Sequence, residues 1–304
     1  MLQILFRGTR TTPSYRLAMR TFHLGEFTVR RMGFGAMQLP GRGVMGPPRD
    51  HDEAIRVLRR AVERGVNHID TAQFYGPDVA NQLIREALHP YPEDLVLVTK
   101  VGSLRDAAGN WNPAQRPEQL RAAVEDNLRT LGIERIGAVN LRLMDHEPDD
   151  PAQRVPLEDK LAELVALREE GKLAGVGIST ASVAQVQQAI EQADAVCVQN
   201  AYSLLDQSDV AVLDLCDEHG IAYVPYFPLG SAFPHLPKVT DDPAVQAVAA
   251  RLGATPAQVG LAWLLAHRKN VLLIPGTSSV AHLEQNLAAA DLALGPDDLA
   301  ELDR

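Results

Sequence analysis

Cysteine is nearly missing from the 304-residue chain, which holds two, Cys197 and Cys216. Two cannot build a disulfide framework, and nothing around them is spaced as a zinc site. The simplest expectation is a pair of reduced thiols in a cytoplasmic protein. Long apolar runs are missing as well, since none approaches the ~18 residues that a membrane span needs. Positive charge is in short supply, with 29 Lys and Arg against 39 Asp and Glu and a net charge of −10. A field of that sign argues against non-specific nucleic-acid binding, so an anionic ligand must find a local cluster of donors. Familiar site motifs are also absent. There is no P-loop, HExxH, GxSxG or EF-hand pattern, and Gly33-Phe34-Gly35 lacks the third glycine of a dinucleotide-binding turn.

What is present is ordinary globular material. Hydrophobic residues make up 46% of the chain, enough to exclude disorder for the whole. Residues 1–20 stand apart: Arg7, Arg10, Arg16 and Arg20 are mixed with Leu2, Ile4, Leu5 and Phe6, and no continuous apolar stretch follows to make a signal peptide. They read as a disordered leader, with Met19 an alternative start. Residues 21–304 read as a single domain. It opens on a hairpin at 21–29 around Gly25. Strands are then expected at 32–37, 67–71, 95–101, 136–144, 173–178, 195–199, 221–226 and 271–274. Helices are expected at 51–63, 79–88, 117–131, 157–170, 183–192, 210–218, 243–252, 256–267 and 280–290. Apolar runs such as Leu95-Val96-Leu97-Val98 and Val271-Leu272-Leu273-Ile274 suit parallel strands covered by helices. Eight such units in succession predict an α/β fold, a (β/α)₈ TIM barrel with an N-terminal β-hairpin. The rival, a doubly wound open sheet, would normally carry the glycine-rich turn that is missing here.

In a barrel of this kind chemistry belongs at the C-terminal ends of the strands. Alternation puts His68 and Asp70 on one face of the second strand. Lys100 ends the third strand and Arg142 the fourth, while Tyr75 arrives from the loop after the second. An ionised Asp70 can keep Lys100 charged, and Lys100 near the Tyr75 hydroxyl is expected to lower the phenol pKa from ~10. A phenol so placed can donate a proton to a developing alkoxide. The plainer alternative is a buried Asp–Lys pair beside a loop tyrosine with no chemistry. His68 is expected as a hydrogen-bonded core residue and Cys197 as core.

The run from Gly65 to Gly76, GVNHIDTAQFYG, followed by Val98-Thr99-Lys100, resembles the signature of the aldo-keto reductase family. The resemblance spans about Thr21 to Leu302. It implies a (β/α)₈ barrel that binds NADPH without a Rossmann motif and reduces an aldehyde or ketone to an alcohol. It makes Asp70, Tyr75 and Lys100 catalytic, with Tyr75 the proton donor. One departure stands out: Arg142 occupies the place where most of the family has a histidine. Arginine only donates hydrogen bonds, yet it can still orient a carbonyl oxygen and stabilise charge there. The alternative is a structural partnership with a loop acid such as Asp145.

The same resemblance assigns the cofactor site. Ser179, Thr180 and Gln199 would meet the carboxamide, and Tyr226, followed by Phe227, Pro228, Leu229 and Gly230, would stack on the nicotinamide. Ile274, Pro275, Gly276, Thr277, Ser278, His282, Gln285 and Asn286 would take the phosphates and adenine. Backbone N–H groups at the start of the last helix, with hydroxyls of Thr277, Ser278 and Ser279, form a candidate anion cradle. The same residues also suit a simple N-cap. NADPH is expected over NADH. Trp111 either walls the substrate pocket or packs on the rim, and the loops 39–49, 145–155 and 231–242 would shape the mouth. Within the family the segments around Gly35, Asn140-Leu141-Arg142 and Ile274 to Leu283 look most like the bacterial pyridoxal-reducing branch. A general reductase of small aldehydes and ketones is the close alternative. A non-catalytic NADPH-binding barrel is a third reading, and a metal-dependent barrel hydrolase a fourth that lacks clustered strand-end ligands. No metal, membrane or nucleic-acid partner is expected, and the oligomeric state is not legible.

Overall fold

The computed structural model describes residues 21–144, 149–230 and 237–303. The expected leader, Asp145 and parts of two expected mouth loops lie outside the described residues. The hairpin forms as expected: Thr21–Leu24 pairs antiparallel with Phe27–Arg30, and Gly25 turns between them at φ 58°. That positive φ is where a side chain would be strained. Leu24 and Val29 pack with Val96, Ala138, Cys197, Ala222 and Leu272, so the hairpin plugs the N-terminal end of the barrel with apolar side chains.

Seven parallel segments pair in the order Phe34–Gly35, His68–Asp70, Val96–Val101, Ile136–Arg142, Leu173–Ser179, Cys197–Gln199 and Ala222–Tyr223. The eighth closes the circle. Residues 271–273 bridge Tyr223 on one side and Met32 on the other, both parallel. Leu272 N–H donates to the Tyr223 carbonyl at 2.9 Å and Gly33 N–H to that of Leu273 at 2.7 Å. The (β/α)₈ expectation therefore holds, although this last segment makes isolated bridges rather than a full ladder. One physical reason is Arg31. Its buried guanidinium donates to the Val271 carbonyl at 3.1 Å and to those of Leu265 and Arg268 at 2.8 and 2.5 Å, so a side chain serves the backbone there.

Expected and observed helices agree closely. His51–Glu63, Val79–Leu88, Pro117–Leu131, Val210–Glu218, Pro243–Leu252 and Pro256–His267 have the predicted bounds, and Leu157–Glu169, Val183–Ala193 and Val280–Ala288 differ by one or two residues at an end. Their starts are fixed by side chains that take otherwise orphaned N–H groups: Asp50 accepts from Glu53, Asp242 from Ala244 and Val245, and Thr255 from Gln258. Two elements were not legible. A short hairpin, Ser103–Arg105 with Trp111–Pro113, rises over the mouth, and the helix Pro296–Leu302 follows the last barrel helix. Both are too short for a period to declare itself. The strand expected at 32–37 shrinks to Phe34–Gly35 because Ala36–Gln38 turns into a 3₁₀ helix. That expected at 221–226 ends at Tyr223, two residues before Pro225, which has no N–H to give.

Behind the second and third strands lies a buried polar network. Thr71 donates to Asn81 at 2.8 Å and Thr99 to Asn127 at 2.6 Å. Asn81 donates on to Asn127 and Thr130, both at 2.9 Å. It ties the outer faces of both strand ends to the helices Val79–Leu88 and Pro117–Leu131. The inner faces of those ends carry Asp70 and Lys100.

Candidate active site

The mouth of the barrel brings Asp70, Tyr75, Lys100 and Arg142 together. Lys100 Nζ donates to Asp70 Oδ1 in a close, buried pair and to the Thr71 carbonyl at 3.2 Å. Gln199 Nε2, from the far side of the barrel, donates to Asp70 Oδ2 at 3.0 Å. Both carboxylate oxygens are thus held, which a buried anion requires. The ammonium lies 5.1 Å from the centroid of the Tyr75 ring. Burial works against the Lys100 charge, but Asp70 and the Tyr75 hydroxyl outweigh it, and the ammonium titrates above its ordinary value.

The expected lowering of the Tyr75 pKa is not what the structure gives. Tyr75 is 5% exposed. Burial raises the phenol, the Lys100 charge pulls it down, Asp70 raises it again and Arg142 lowers it, and the net direction is upward from 10. Desolvation wins because the phenolate would sit in a dry pocket next to a carboxylate. A raised phenol is fully protonated near neutral pH, which is the state a proton donor needs. The two cations favour the phenolate form, against burial.

Arg142 ends its strand half-buried. Its Nη1 approaches the Leu143 carbonyl at 3.4 Å and Met144 Sδ at 3.5 Å. The mouth hairpin places Trp111 beside it, with the guanidinium carbon of Arg142 6.0 Å and that of Arg105 4.1 Å from the ring centroid. Phe74 meets Tyr75 and Trp111 edge-on at 5.4 and 5.5 Å. Trp111, 37% exposed, does pack on the rim, and it does so as part of the wall around Tyr75. Gln115, a residue the sequence did not single out, donates to the carbonyls of Gly102 and Arg142, the latter at 3.0 Å. It clamps the third strand's exit to the fourth's. Gly102 has φ 99°, and a Cβ there would meet the Arg142 carbonyl oxygen at 2.6 Å.

The proposed cofactor residues fall into two groups. Ser179 and Gln199 are direct register partners, both buried. Thr180 follows at φ 60° and Phe227, after Tyr226, at φ 56°. Two strained non-glycine residues just past strand ends are the kind of local cost that persists where a site is being shaped. Asn200, also missed by the sequence reading, supports them: it accepts from Ala181 N–H at 3.0 Å and donates to the Ala181 carbonyl at 2.8 Å and to Asp209 at 3.0 Å. Tyr226 N–H donates to the Asn200 carbonyl at 2.9 Å, and Gly230, with Pro228 and Leu229 before it, bridges Lys238. The second group lies beside Gly35. Cβ atoms at Gly35 or Gly276 would collide with the carbonyl oxygens of Ile274 and Gly35, at 2.5 and 2.6 Å, so Ile274, Pro275 and Gly276 sit tight on the first strand. Thr277 is buried and accepts from Ser279 N–H at 3.1 Å; Ser278, His282 and Gln285 are exposed and Asn286 half-buried. The anion cradle is not free throughout, because Val280 N–H donates to Glu53 Oε1 at 2.9 Å. The protein's own carboxylate takes that donor, and the bond helps hold Glu53 below the ordinary carboxylate range.

His68 is buried as expected, but its hydrogen bonding is weaker than expected. Neither ring nitrogen makes a well-formed hydrogen bond, the Arg30 backbone giving it only a weak one, and Asn140 Nδ2 has no partner. Both side chains line a small cavity beneath Asp70, shared with Cys197 and Gln199. Cys197 donates to Asn140 Oδ1 at 3.1 Å, and burial pushes its thiol up to about 12, so it is core, as expected. Burial pushes the His68 pKa down to about 4, and the ring is neutral at ordinary pH. Both cysteines are free and buried. Among the described residues no group of three His, Cys, Asp or Glu is placed to hold a metal ion, and no helix is long and apolar enough to cross a membrane.

Comparison with known proteins gives a consistent picture. Residues 31–304 match the Aldo/keto reductase family. The chain is 49% identical over 287 residues to pyridoxine 4-dehydrogenase of Escherichia coli (strain K12), across 94% of this chain and 98% of that protein. It is 37% identical over 283 residues to an uncharacterized oxidoreductase of Schizosaccharomyces pombe, across 93% and 89%. In three dimensions it is similar to an aldo/keto reductase from Klebsiella pneumoniae in complex with NADP and acetate. That match has a TM-score of 0.76 at 26% identity and covers 93% of this chain and 94% of the other. A thermostable aldo-keto reductase, Tm1743, bound to the inhibitor epalrestat gives 0.77 at 27% identity, covering 93% and 98%.

Proposed function

The chain belongs to the aldo/keto reductase family, and on that premise we propose that it uses NADPH to reduce the aldehyde of pyridoxal to the alcohol of pyridoxine, with Tyr75 as proton donor. The observation that carries the reading is the buried Asp70–Lys100 pair set against the Tyr75 phenol at the barrel mouth. The choice of pyridoxal comes from the 49% identical pyridoxine 4-dehydrogenase. Residues 21–304 act as one domain in this reading, and the free, buried cysteines suit a cytoplasmic setting.

The donor set fits a nicotinamide dinucleotide. Ser179 and Gln199 stand side by side in one row, and Gln199, whose NH₂ is anchored on Asp70, keeps a carbonyl oxygen for a carboxamide N–H. Tyr226 would hold one face of the nicotinamide. Thr277, Ser278, His282, Gln285 and Asn286 would take the phosphates and adenine. The bound cofactor supplies the hydride.

The remaining chemistry belongs to the chain. The carbonyl oxygen gains charge as its carbon is reduced, and Tyr75 gives its proton to that oxygen. Lys100 steadies the phenolate that results, and Asp70 keeps Lys100 charged and in place. Arg142 donates to the oxygen while charge develops on it. Phe74 and Trp111 wall the substrate and keep water away. Nothing favours the non-catalytic alternative, and the buried Asp70–Lys100 pair beside Tyr75 supports the catalytic one. Steady-state oxidation of NADPH with pyridoxal, beside a panel of simple aldehydes and with NADH in parallel, tests the proposal. Pyridoxal should be reduced to pyridoxine, faster with NADPH. No oxidation with any aldehyde would overturn it, and reduction of every aldehyde except pyridoxal would remove the substrate.

A further inference from the structure

Two turns that the cofactor reading assigns to the nicotinamide, one carrying Thr180 and one carrying Tyr226, meet at a single residue. Ser179 and Gln199 are the last register partners of their strands. Alternation sends Gln199 into the barrel and Asn200 outward, where it is buried. There the Asn200 amide lies against the backbone of Ala181, accepting its N–H at 3.0 Å and donating to its carbonyl at 2.8 Å. A side chain thus continues the ladder past the strand end. Thr180 is caught inside it, with its N–H on the Gln199 carbonyl at 3.2 Å and its φ at 60°. A β-branched residue keeps that conformation only where its surroundings impose it. The Asn200 carbonyl serves the other turn. It accepts Tyr226 N–H at 2.9 Å, and Phe227 follows at φ 56°.

The Asn200 amide is oriented by Asp209. Asp209 Oδ2 accepts from Asn200 Nδ2 at 3.0 Å and from the Tyr223 hydroxyl at 2.6 Å. With an accepting oxygen in front of it, the amide must present its NH₂ there, which leaves Oδ1 for Ala181 N–H. The place of Asp209 in the chain makes this use of it unusual. It is the N-cap residue of the helix Val210–Glu218, where an aspartate ordinarily accepts a helix N–H, yet its side chain accepts none. A carboxylate that could cap its own helix holds Asn200 instead.

We propose that Asp209 is a positioning residue for the cofactor, holding Thr180 and Tyr226 through Asn200 in the arrangement that binds the nicotinamide. The inference rests on the reading of those two residues as nicotinamide contacts and adds to it a residue that acts through another.

The test measures NADPH affinity by fluorescence in the wild type, Asp209→Ser, Asp209→Asn and Tyr223→Phe, with melting temperatures and steady-state kinetics on the same preparations. Asp209→Ser keeps a capping side chain at the helix start but is one bond too short for Asn200. It should fold, and the Kd of NADPH should rise about 10-fold, as loss of one hydrogen bond to a carboxylate allows. The KM for NADPH should rise with it, and kcat should change less. Asp209→Asn has the same reach, keeps an accepting oxygen and should restore most of the affinity. Tyr223→Phe removes the other bond to the same carboxylate; it should lower the melting temperature and leave the Kd unchanged. Adding Asp209→Ser to Asn200→Ala should raise the Kd no further than Asn200→Ala alone. An unchanged Kd in Asp209→Ser overturns the inference, as does a Kd that merely follows the melting temperature across the variants. Amide hydrogen exchange at Ala181 and Tyr226 gives a readout without cofactor, and both should exchange faster in Asp209→Ser than in Tyr223→Phe. If the wild type binds no NADPH, the cofactor reading falls, and the exchange rates alone decide whether Asp209 positions the two turns, equal rates in the two variants refuting it.

Discussion

Two buried polar layers flank the same pair of strands, His68–Asp70 and Val96–Val101, and they follow different rules. On the outer face Thr71, Thr99, Asn81, Asn127 and Thr130 bond to one another, and no polar atom of the set is left over. On the inner face Asp70 and Lys100 form a buried ion pair, and just beneath them His68 and Asn140 have polar atoms without a well-formed hydrogen bond. Adjacent residues of one strand, Thr99 and Lys100, serve the two layers because successive side chains point to opposite faces. The outer layer holds the strand ends in place. The inner layer gives up hydrogen bonding and carries buried charge, a local cost of the kind that persists at functional sites and that the proposed chemistry would use.

Substitutions on the two faces should therefore separate stability from activity. The largest effect is expected from Lys100→Met. It leaves Asp70 buried without its cation, at a cost of about 3–5 kcal/mol, and removes support for the Tyr75 phenolate. Denaturant titration should show the first, and turnover should fall by ~100-fold or more. Next is the acid side of the stability curve. The folded His68 pKa, about 4, lies below the ordinary 6.5, so in that window the unfolded chain takes up a proton that the folded chain refuses. The stabilisation is complete above pH 6.5 and is lost as pH falls through 4, by about 3 kcal/mol. His68→Leu should flatten that part of the pH–stability curve relative to wild type. An unchanged slope would contradict it. On the outer face Asn127→Ala should cost about 2 kcal/mol by stranding Thr99 and Asn81, with kcat nearly unchanged; a large loss of kcat would erase the distinction between the layers. The smallest effect is that of His68→Leu at neutral pH, less than about 1 kcal/mol in either direction. The gain from removing poorly bonded ring nitrogens is offset there by the loss of the weak bond to the Arg30 backbone and by changed packing.

The sequence exposed most of the fold, because apolar runs and amphipathic periods repeat eight times and side-chain caps mark many helix starts. It also exposed Asp70, Lys100 and Arg142, since alternation along short strands fixes which residues point inward, and Tyr75 through the signature run in the loop that follows the second strand. Tertiary neighbours were hidden. Gln115 and Asn200 bond backbone groups far along the chain, and no local pattern announces that. The hairpin that carries Trp111 has strands of three residues, too short for alternation to show. Glu53 reaches Val280 across 227 positions, so its claim on the last helix could not be foreseen. The direction of the Tyr75 shift was misjudged for a related reason. Spacing shows which charges surround a group but not how much water is removed from it, and here burial is the larger influence.

The central claim is that Tyr75 donates the proton from its place beside Lys100. Single-turnover reduction of pyridoxal by Tyr75→Phe, with NADPH affinity measured by fluorescence on the same preparation, tests it most directly. The account predicts hydride transfer slowed by ~100-fold or more while NADPH binds as tightly as in the wild type. Equal rates for the two proteins would contradict it.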